Sequence, residues 1–392
     1  MALAASAACA AELATLADTI ANGRISLNLR LRYEGVAQTG LRDADALTLR
    51  TRLGFTTASR HGWKAMLEAE NILAADGDSY SQAGLNAGGA GRAVVADPET
   101  TEINQAFLSY TGGQTTVTAG RQRLVLDNAR FVGDVGWRQN AQTFDAVSVQ
   151  NTSLGRTTLT YAYLEQINRV FGDRHAQGKW ESDSHLFNAS YAGGAAGTLT
   201  GYAYLLDFKK AAAAHSCATY GASFAGAAKL SDRLKLAYRA ELAHQADYGT
   251  SASDYATTYY ALEAGLAGKA GGLTLGREVL GSDRSVGFKT PLATLHAFNG
   301  WADLFLATPA AGLRDDYVKA AVGLPADLSL LAFEHWYETD VAGVRLGSEF
   351  NLQLSRKFGK SVTGLVKYAD FRRDGPGYPN VQKIWAQVEF AR

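Results

Sequence analysis

Ile25-Ser-Leu-Asn-Leu-Arg-Leu-Arg-Tyr-Glu34 alternates without a break: Ile25, Leu27, Leu29, Leu31 and Tyr33 at odd positions, Ser26, Asn28, Arg30, Arg32 and Glu34 at even ones. A period of two over ten residues predicts a strand with one apolar and one polar face. The next segment repeats the pattern, with Leu47, Leu49, Leu53 and Phe55 against Thr48, Arg50, Arg52 and Thr56. Later segments do so again. Leu234, Leu236, Tyr238 and Leu242 oppose Lys235, Arg239 and Glu241. Phe350, Leu352 and Leu354 oppose Glu349, Asn351 and Gln353, and Ile384, Ala386, Val388 and Phe390 oppose Lys383, Gln387 and Glu389. The polar face carries long ionisable side chains in strand after strand, which fits a water-filled lumen better than the wet face of a sandwich.

Short turns near Arg60-His61, Gly112-Gly113, Ser153-Gly155, Gly194-Ala196, Ser231-Asp232, Lys269-Gly271, Leu324-Ala326 and Phe358-Gly359 alternate with longer connections near 75–100, 124–140, 167–182, 281–312 and 373–380. Counting segments between them gives about 18 strands, an even number, with tight turns on one side and long loops on the other: a transmembrane antiparallel β-barrel with short periplasmic turns and long extracellular loops. Segments 101–111, 141–152 and 196–208 do not assign their faces. No apolar run reaches the roughly 18 residues of a helical span. Few prolines (6), many glycines (41) and a mean hydropathy near zero suit strands that are apolar at every second position. Lys+Arg and Asp+Glu balance at 38 each, which argues against a nucleic-acid binder. Cys9 and Cys217 make no disulfide framework. Residues 1–10 read as the remnant of a signal peptide, 11–23 as a periplasmic N-terminal segment, and 24–392 as the barrel; an ordinary Ala-rich helix is the other reading of the N-terminus.

The stretch Gly120–Val147 breaks the pattern. It holds Arg121, Arg123, Arg130 and Arg138 with Asp127, Asp134 and Asp145, spaced by Gly120, Gly133 and Gly136. It is too charged for a buried strand and too ordered in pattern for a floppy linker, and is expected to fold into the lumen as a constriction. A guanidinium offers a planar fork that matches a carboxylate, so these arginines, with the wall arginines Arg30, Arg32, Arg50 and Arg52, are candidates to contact an anion. The competing role is bracing against Glu34, Glu68, Glu70, Asp127 and Asp134. Val117 and Ala119 would send Arg121 and Arg123 outward unless a bulge intervenes near Gly120. Leu273-Thr-Leu-Gly-Arg-Glu278 echoes Val117-Thr-Ala-Gly-Arg-Gln122 and also leads into a long loop, which adds Arg277 to the candidates. Trp137 and Trp301 could stack on sugar faces or simply pack the loops. Trp63, Tyr33, Phe55, Phe350 and Phe390 read as interfacial girdle residues.

Gly23-Arg-Ile-Ser-Leu-Asn-Leu-Arg-Leu-Arg-Tyr-Glu34, Asp97-Pro-Glu-Thr-Thr-Glu-Ile-Asn-Gln-Ala-Phe-Leu-Ser-Tyr110, Gly120-Arg-Gln, Trp137-Arg-Gln-Asn and Thr290-Pro-Leu-Ala-Thr-Leu-His-Ala-Phe-Asn-Gly-Trp-Ala-Asp303 together resemble the porin-like branch of the alginate-export family of Gram-negative outer-membrane proteins. The resemblance implies a monomeric barrel of about 18 strands with an arginine-lined passage for anionic carbohydrate. It implies no cofactor and no partner beyond that solute, outer-membrane lipid and lipopolysaccharide. The chain ends Phe390-Ala-Arg392, a departure from the usual terminal aromatic.

Enzyme signatures are weak. There is no Gly-x-Ser-x-Gly elbow, His-Glu-x-x-His or Walker loop, and Glu334 and His335, being consecutive, should face opposite sides, with the histidine at the interface. Asp76-Gly-Asp-Ser79 lacks the spacing of a Ca²⁺ loop. The expectation is a passive channel for small or oligomeric anions, sugar acids and uronates first. A general or cation-tolerant porin is the alternative, and a loop-plugged adhesion barrel is the alternative of another class.

Overall fold

A computed structural model describes residues 15–375 and 377–392; the expected signal remnant at 1–10 lies outside them. After a short helix α1 (Leu16–Ala21), every regular element but a few single turns is a strand: β1 (Arg24–Gln38), β2 (Ala44–Thr56), β3 (Trp63–Ala74), β4 (Thr100–Gly112), β5 (Thr115–Gln122), β6 (Thr143–Leu154), β7 (Thr157–Asn168), β8 (Lys179–Ala192), β9 (Thr198–Leu206), β10 (Cys217–Lys229), β11 (Leu234–Ala246), β12 (Ala256–Gly268), β13 (Gly271–Leu280), β14 (Leu313–Leu324), β15 (Leu328–Glu338), β16 (Arg345–Phe358), β17 (Val362–Arg373) and β18 (Val381–Ala391). Each pairs antiparallel with its sequence neighbours, and β1 also pairs with β18 from Asn28↔Ala391 to Gln38↔Val381. That seam closes the sheet and leaves no unpaired edge, as a membrane requires where no water can satisfy a peptide group. The three segments whose faces the sequence left open form β4, β6 and β9.

The alternation sorts as read. Along β2 the burial runs in strict period two, with Ala44, Ala46, Thr48, Arg50 and Arg52 inside and Leu47, Leu49 and Leu53 outside. Exposed hydrophobics of many strands, among them Leu31, Leu67, Leu108, Val147, Leu242, Leu275, Val366 and Ile384, make up the outer wall. Of the girdle residues, Trp63 stands outside against Tyr110 and Phe350 is exposed. Inside, apolar side chains of the wall and loops pack together, and many charged ones, among them Arg32, Glu34, Arg50, Glu70, Arg130 and Glu349, are buried beside them, as expected where inward polar faces meet infolded loops.

Nine loops lie at the end opposite the tight turns: L1 (39–43), L2 (75–99), L3 (123–142), L4 (169–178), L5 (207–216), L6 (247–255), L7 (281–312), L8 (339–344) and L9 (374–380). L3 and L7 fold inward together. Val132 bridges Leu292 in parallel, Gly133 N–H donates to Leu292 O, and Thr294 N–H donates to Ala129 O. At the far wall Phe131 enters a cluster of Tyr202, Tyr204, Tyr259 and Phe288, with ring centroids 5.2–6.2 Å away. At the near wall the segment 136–139 lies against β1 and β2. L3 therefore spans the lumen like a beam fixed at both ends. Phe131→Ala should cost about 3 kcal/mol and free one end of that beam. The expected outcome is a lower temperature for loss of the folded gel band together with a larger single-channel conductance.

Candidate functional site

The wall arginines hold L3 by its backbone. Arg30 Nη1 donates to the carbonyls of Gly136 (3.1 Å) and Trp137 (3.2 Å). Arg32 Nη2 donates to Trp137 O (2.5 Å), and its guanidinium lies 4.2 Å from the Trp137 ring. Arg50 Nη1 and Arg52 Nη2 both reach Gln139 O, at 3.4 and 3.1 Å. Charge-assisted bonds of this kind contribute about 1.5–3 kcal/mol each. The segment they hold follows directly on the β-branched Val135, which sits at positive φ (49°), a locally unfavourable backbone.

Each of these cations also has a carboxylate: Arg30 and Arg50 share Glu389 (both 3.1 Å), Arg32 meets Asp97 of L2 (3.4 Å), and Arg52 meets Glu70. Arg32 is 0% and Arg50 1% exposed. The expected basic stripe on β1 and β2 is thus present, but its donors are engaged by the loop and its neutralising acids, and no solute reaches the two most buried members in this conformation.

The other candidates divide. Arg123 pairs with Glu68 (3.2 Å) and lies 4.0 Å from Asp134. Arg130, 1% exposed, pairs with Glu278 (2.7 Å) and donates to Asn299 Oδ1 (3.1 Å). Arg138 bridges Glu34 (3.0 Å) and Asp303 (2.8 Å). Asp127 accepts from Asn188 Nδ2 (2.8 Å) and borders a chamber described below.

Arg121 and Arg277 must be corrected: they face outward. Arg121 is cross-strand from Asp145 on the face that carries Ala119 and the exposed Val147, and it binds both oxygens of Asp145 (2.7 and 2.9 Å). Arg277 shares the outward face of Leu273 and Leu275 and binds Asp316 (2.5 and 2.9 Å). No bulge interrupts the β5–β6 register, so the outward parity holds. Trp137 and Trp301 pack rather than offer free faces. Trp137 stacks on His296 at 4.5 Å with a 4° interplanar angle, and Trp301 is 6% exposed, against Phe333 and 3.6 Å from Lys367 Nζ. His335 is a further correction: it points into the lumen, donor partner of Asp315 (2.9 Å), because Trp336 takes the outer face.

Residues not among the sequence candidates complete the narrowing: Lys367, and Lys383, His296 and Asp303, which the sequence places on a polar strand face and in the late loop without a role. Lys367 of β17 donates to His296 Nε2 (2.7 Å), His296 Nδ1 lies 2.7 Å from Asp303 Oδ1, and Lys383 of β18 donates to Asp303 Oδ2 (2.7 Å). With Lys367 as an ammonium, which can only donate, the imidazole is assigned as neutral with its proton on Nδ1 toward Asp303. Burial pushes His296 well below its usual value, and Lys367 and Arg138 push the same way. Burial alone would raise Asp303, but His296, Lys383 and Arg138 together hold it well below the usual carboxylate range. The signal for Lys367 and Lys383 was their place on the polar face of alternating strands, beside Trp385, an aromatic on the wrong face for lipid.

Three cavities lie along the axis. On the loop side a chamber of about 660 Å³ is lined by Arg169, His175, His215 and Lys289 with Phe171, Trp180 and Phe288; among the described residues no Asp or Glu lines it. The Arg169 guanidinium lies 3.9 Å from the Trp180 ring and 5.2 Å from Phe171, and its buried Nε has no hydrogen-bond partner among the described residues. Burial pulls it down to about 10, so it remains a cation at neutral pH. Next comes a cavity of about 90 Å³ bounded by Arg138, His296 and Asp303, sharing Arg169, Phe171, Pro291, Leu295 and Leu306 with the chamber above. Beyond the L3–L7 partition a third, of about 660 Å³, is lined by Asp127, Glu263, Glu278 and Asp315 with Arg239, Lys319 and His335.

A closed barrel of eighteen strands with loops folded into a charged lumen defines a porin-type outer-membrane protein. Residues 23–277 match the family model described as Alginate export, and the chain belongs to that family. It resides in the Gram-negative outer membrane. Similar solved structures include Acinetobacter baumannii OccAB3 (12% identity, TM-score 0.74, covering 95% of this chain and 100% of that one) and Pseudomonas aeruginosa OpdK with vanillate (14%, 0.73, 95% and 99%). Pseudomonas aeruginosa OpdL (16%, 0.70, 95% and 99%) is a third. They share its fold. A comparison with curated proteins finds no match.

Because His296 is neutral when folded, the folded chain binds fewer protons than the unfolded one below the unfolded histidine value of about 6.5. Stability from this group is therefore full above about pH 6.5 and is lost as pH falls through it. The folded-band transition temperature should drop from pH 7.5 to 5, and His296→Gln should remove part of that drop. An unchanged slope in the variant would show that the imidazole does not contribute.

Proposed function

We propose that the protein is a passive outer-membrane channel for small anionic solutes, with sugar acids and uronates first among them. The observation that carries this is the loop-side chamber, where cations and aromatic rings converge with no carboxylate among the described lining residues. A narrow lumen screens charge less than bulk water, so unpaired fixed charges at the mouth set which ion enters. The cations on β1 and β2 are neutralised locally, whereas Arg169 and Lys289 have no carboxylate within ion-pair distance among the described residues. Lys289 Nζ donates to Ala214 O (2.9 Å) and lies 4.5 Å from the Tyr255 ring. The ring faces of Trp180 and Phe171 suit the apolar side of a sugar or another flat ring. The structure of OpdK with vanillate, a carboxylate, is consistent with this reading for a barrel of the same fold.

A second reading has its own observation. In the chamber beyond the partition Glu278 is paired with Arg130, Asp315 with His335 and Arg239 with Glu241, which leaves Asp127 and Glu263 against Lys319, a small excess of acid that favours a cation-tolerant porin. Reversal potentials of purified protein in planar bilayers under a KCl gradient decide between them. Chloride preference is expected. Arg169→Ala with Lys289→Ala should reduce the chloride-to-potassium permeability ratio on the order of threefold, about 0.6 kcal/mol. Potassium preference in the wild-type channel would sink the anion reading in favour of the second one.

A further inference from the structure

Asp303 occupies a position that has the chemistry of an anion site. Its Oδ2 accepts from Arg138 Nη2 (2.8 Å) and Lys383 Nζ (2.7 Å), and its Oδ1 faces His296 Nδ1 (2.7 Å). The donors come from three separate parts of the molecule, L3, β18 and L7, and converge on one carboxylate. Each has its own support. Arg138 is also held by Glu34 at 3.0 Å, and His296 is stacked on Trp137 and bonded to Lys367. Removing the Asp303 carboxylate would leave a preformed cradle of two cations and one N–H.

The carboxylate can leave without moving the loop. The amides of Trp301 and Ala302 both donate to Glu349 Oε1, at 2.5 and 2.8 Å, so the backbone before Asp303 is pinned by a different acid. The 90 Å³ cavity borders Asp303, Arg138 and His296 and shares five lining residues with the loop-side chamber. The side chain therefore has room to rotate toward, and a solute has a direction from which to arrive.

We infer that Arg138, Lys383 and His296 form a carboxylate-binding site, which Asp303 fills in the resting channel as an internal stand-in and which an incoming solute carboxylate takes over by displacing it. This rests on the anion-channel reading and adds the step by which the L3–L7 partition passes its solute. One carboxylate replaces another, so the same donors are satisfied before and after exchange, and no buried cation is stranded. A tethered competitor acts at an effective concentration of millimolar or more, which keeps solute binding weak enough for release.

The test uses glucuronate as the probe and the full chain in planar bilayers. Asp303→Asn should raise chloride conductance and lower the glucuronate concentration that half-blocks chloride current by about tenfold, because the tethered competitor is gone. Adding Lys383→Gln to Asp303→Asn should abolish that gain. An Asp303→Asn channel with the same conductance and half-blocking concentration as an anion-selective wild type overturns the stand-in role while leaving the channel reading intact. A cation-selective wild type overturns both. Should Asp303→Asn not fold, the wild-type protein crystallised with glucuronate still decides. A solute carboxylate between Arg138 and Lys383 with Asp303 rotated away supports the exchange. Glucuronate confined to the loop-side chamber, with the Asp303–Arg138 contact intact, overturns it.

Discussion

The interior depends on one interaction: guanidinium groups of β1 and β2 capturing the carbonyls of residues 136–139. A loop folded into a lumen has no ladder to satisfy its peptide groups, and each one withdrawn from water unpaired costs on the order of 1–3 kcal/mol. Arginine answers this with several donors in a fixed plane, so one side chain can serve a carbonyl, a carboxylate and a second strand together. Arg32 does so with Trp137 O, Asp97 and Gln387. The capture fixes Trp137 and Arg138, which in turn position His296 and Asp303 of L7. The capture thus ties to the wall a pair of loops already joined to each other at Val132 and Leu292.

This division of labour bears on selectivity. An arginine that braces a loop and meets a carboxylate contributes little net field at the axis, however many such residues line the wall. Field comes from charges left uncompensated. These lie at the loop-side chamber, in Arg169 and Lys289, and at the opposite chamber, in Asp127 and Glu263, whose neighbours Glu278 and Asp315 are paired with Arg130 and His335. The lumen is thus polarised along its axis as well as across it, and the partition of L3 and L7 stands where the two regions meet.

The barrel was legible because a period of two, once set at Ile25–Glu34, survives in β2, β11, β16 and β18 almost unbroken, and because tight turns and long loops differ in length. The inward course of L3 was legible from charge density alone. The role of its arginines was not, because contact and bracing draw on the same residue types, and only coordinates show that Arg32 and Arg50 are enclosed. Lys367, Lys383, His296 and Asp303 lie on elements far apart in sequence and meet only through barrel closure and the L7 fold, so no local pattern announces them. Arg169 was missed for a different reason: a single arginine at a strand end looks like any rim residue until Trp180 and Phe171 enclose it.

The repeated Gly-Arg-Gln/Glu motif shows how a correct pattern can carry a wrong role. In both copies the arginine turns outward to bind an aspartate of the next strand, Asp145 or Asp316. The residue after it turns inward and anchors the loop base. Gln122 Nε2 donates to the carbonyls of Thr118, Gly120 and Ala146, while Glu278 accepts from Tyr259 and Asn299 and pairs with Arg130. The glycine makes room: a Cβ at Gly120, where φ is +118°, would lie 2.4 Å from Ala106 O, and one at Gly276 would lie 2.1 Å from the Tyr317 ring. The motif is therefore a launching device for an inward loop. The outer ion pair fixes the strand's end, the glycine lets the neighbouring strand approach, and the inner polar side chain receives the returning chain. Two loops launched this way, from β5 and β13, can meet across the lumen, and the bridge between Val132 and Leu292 is where they do.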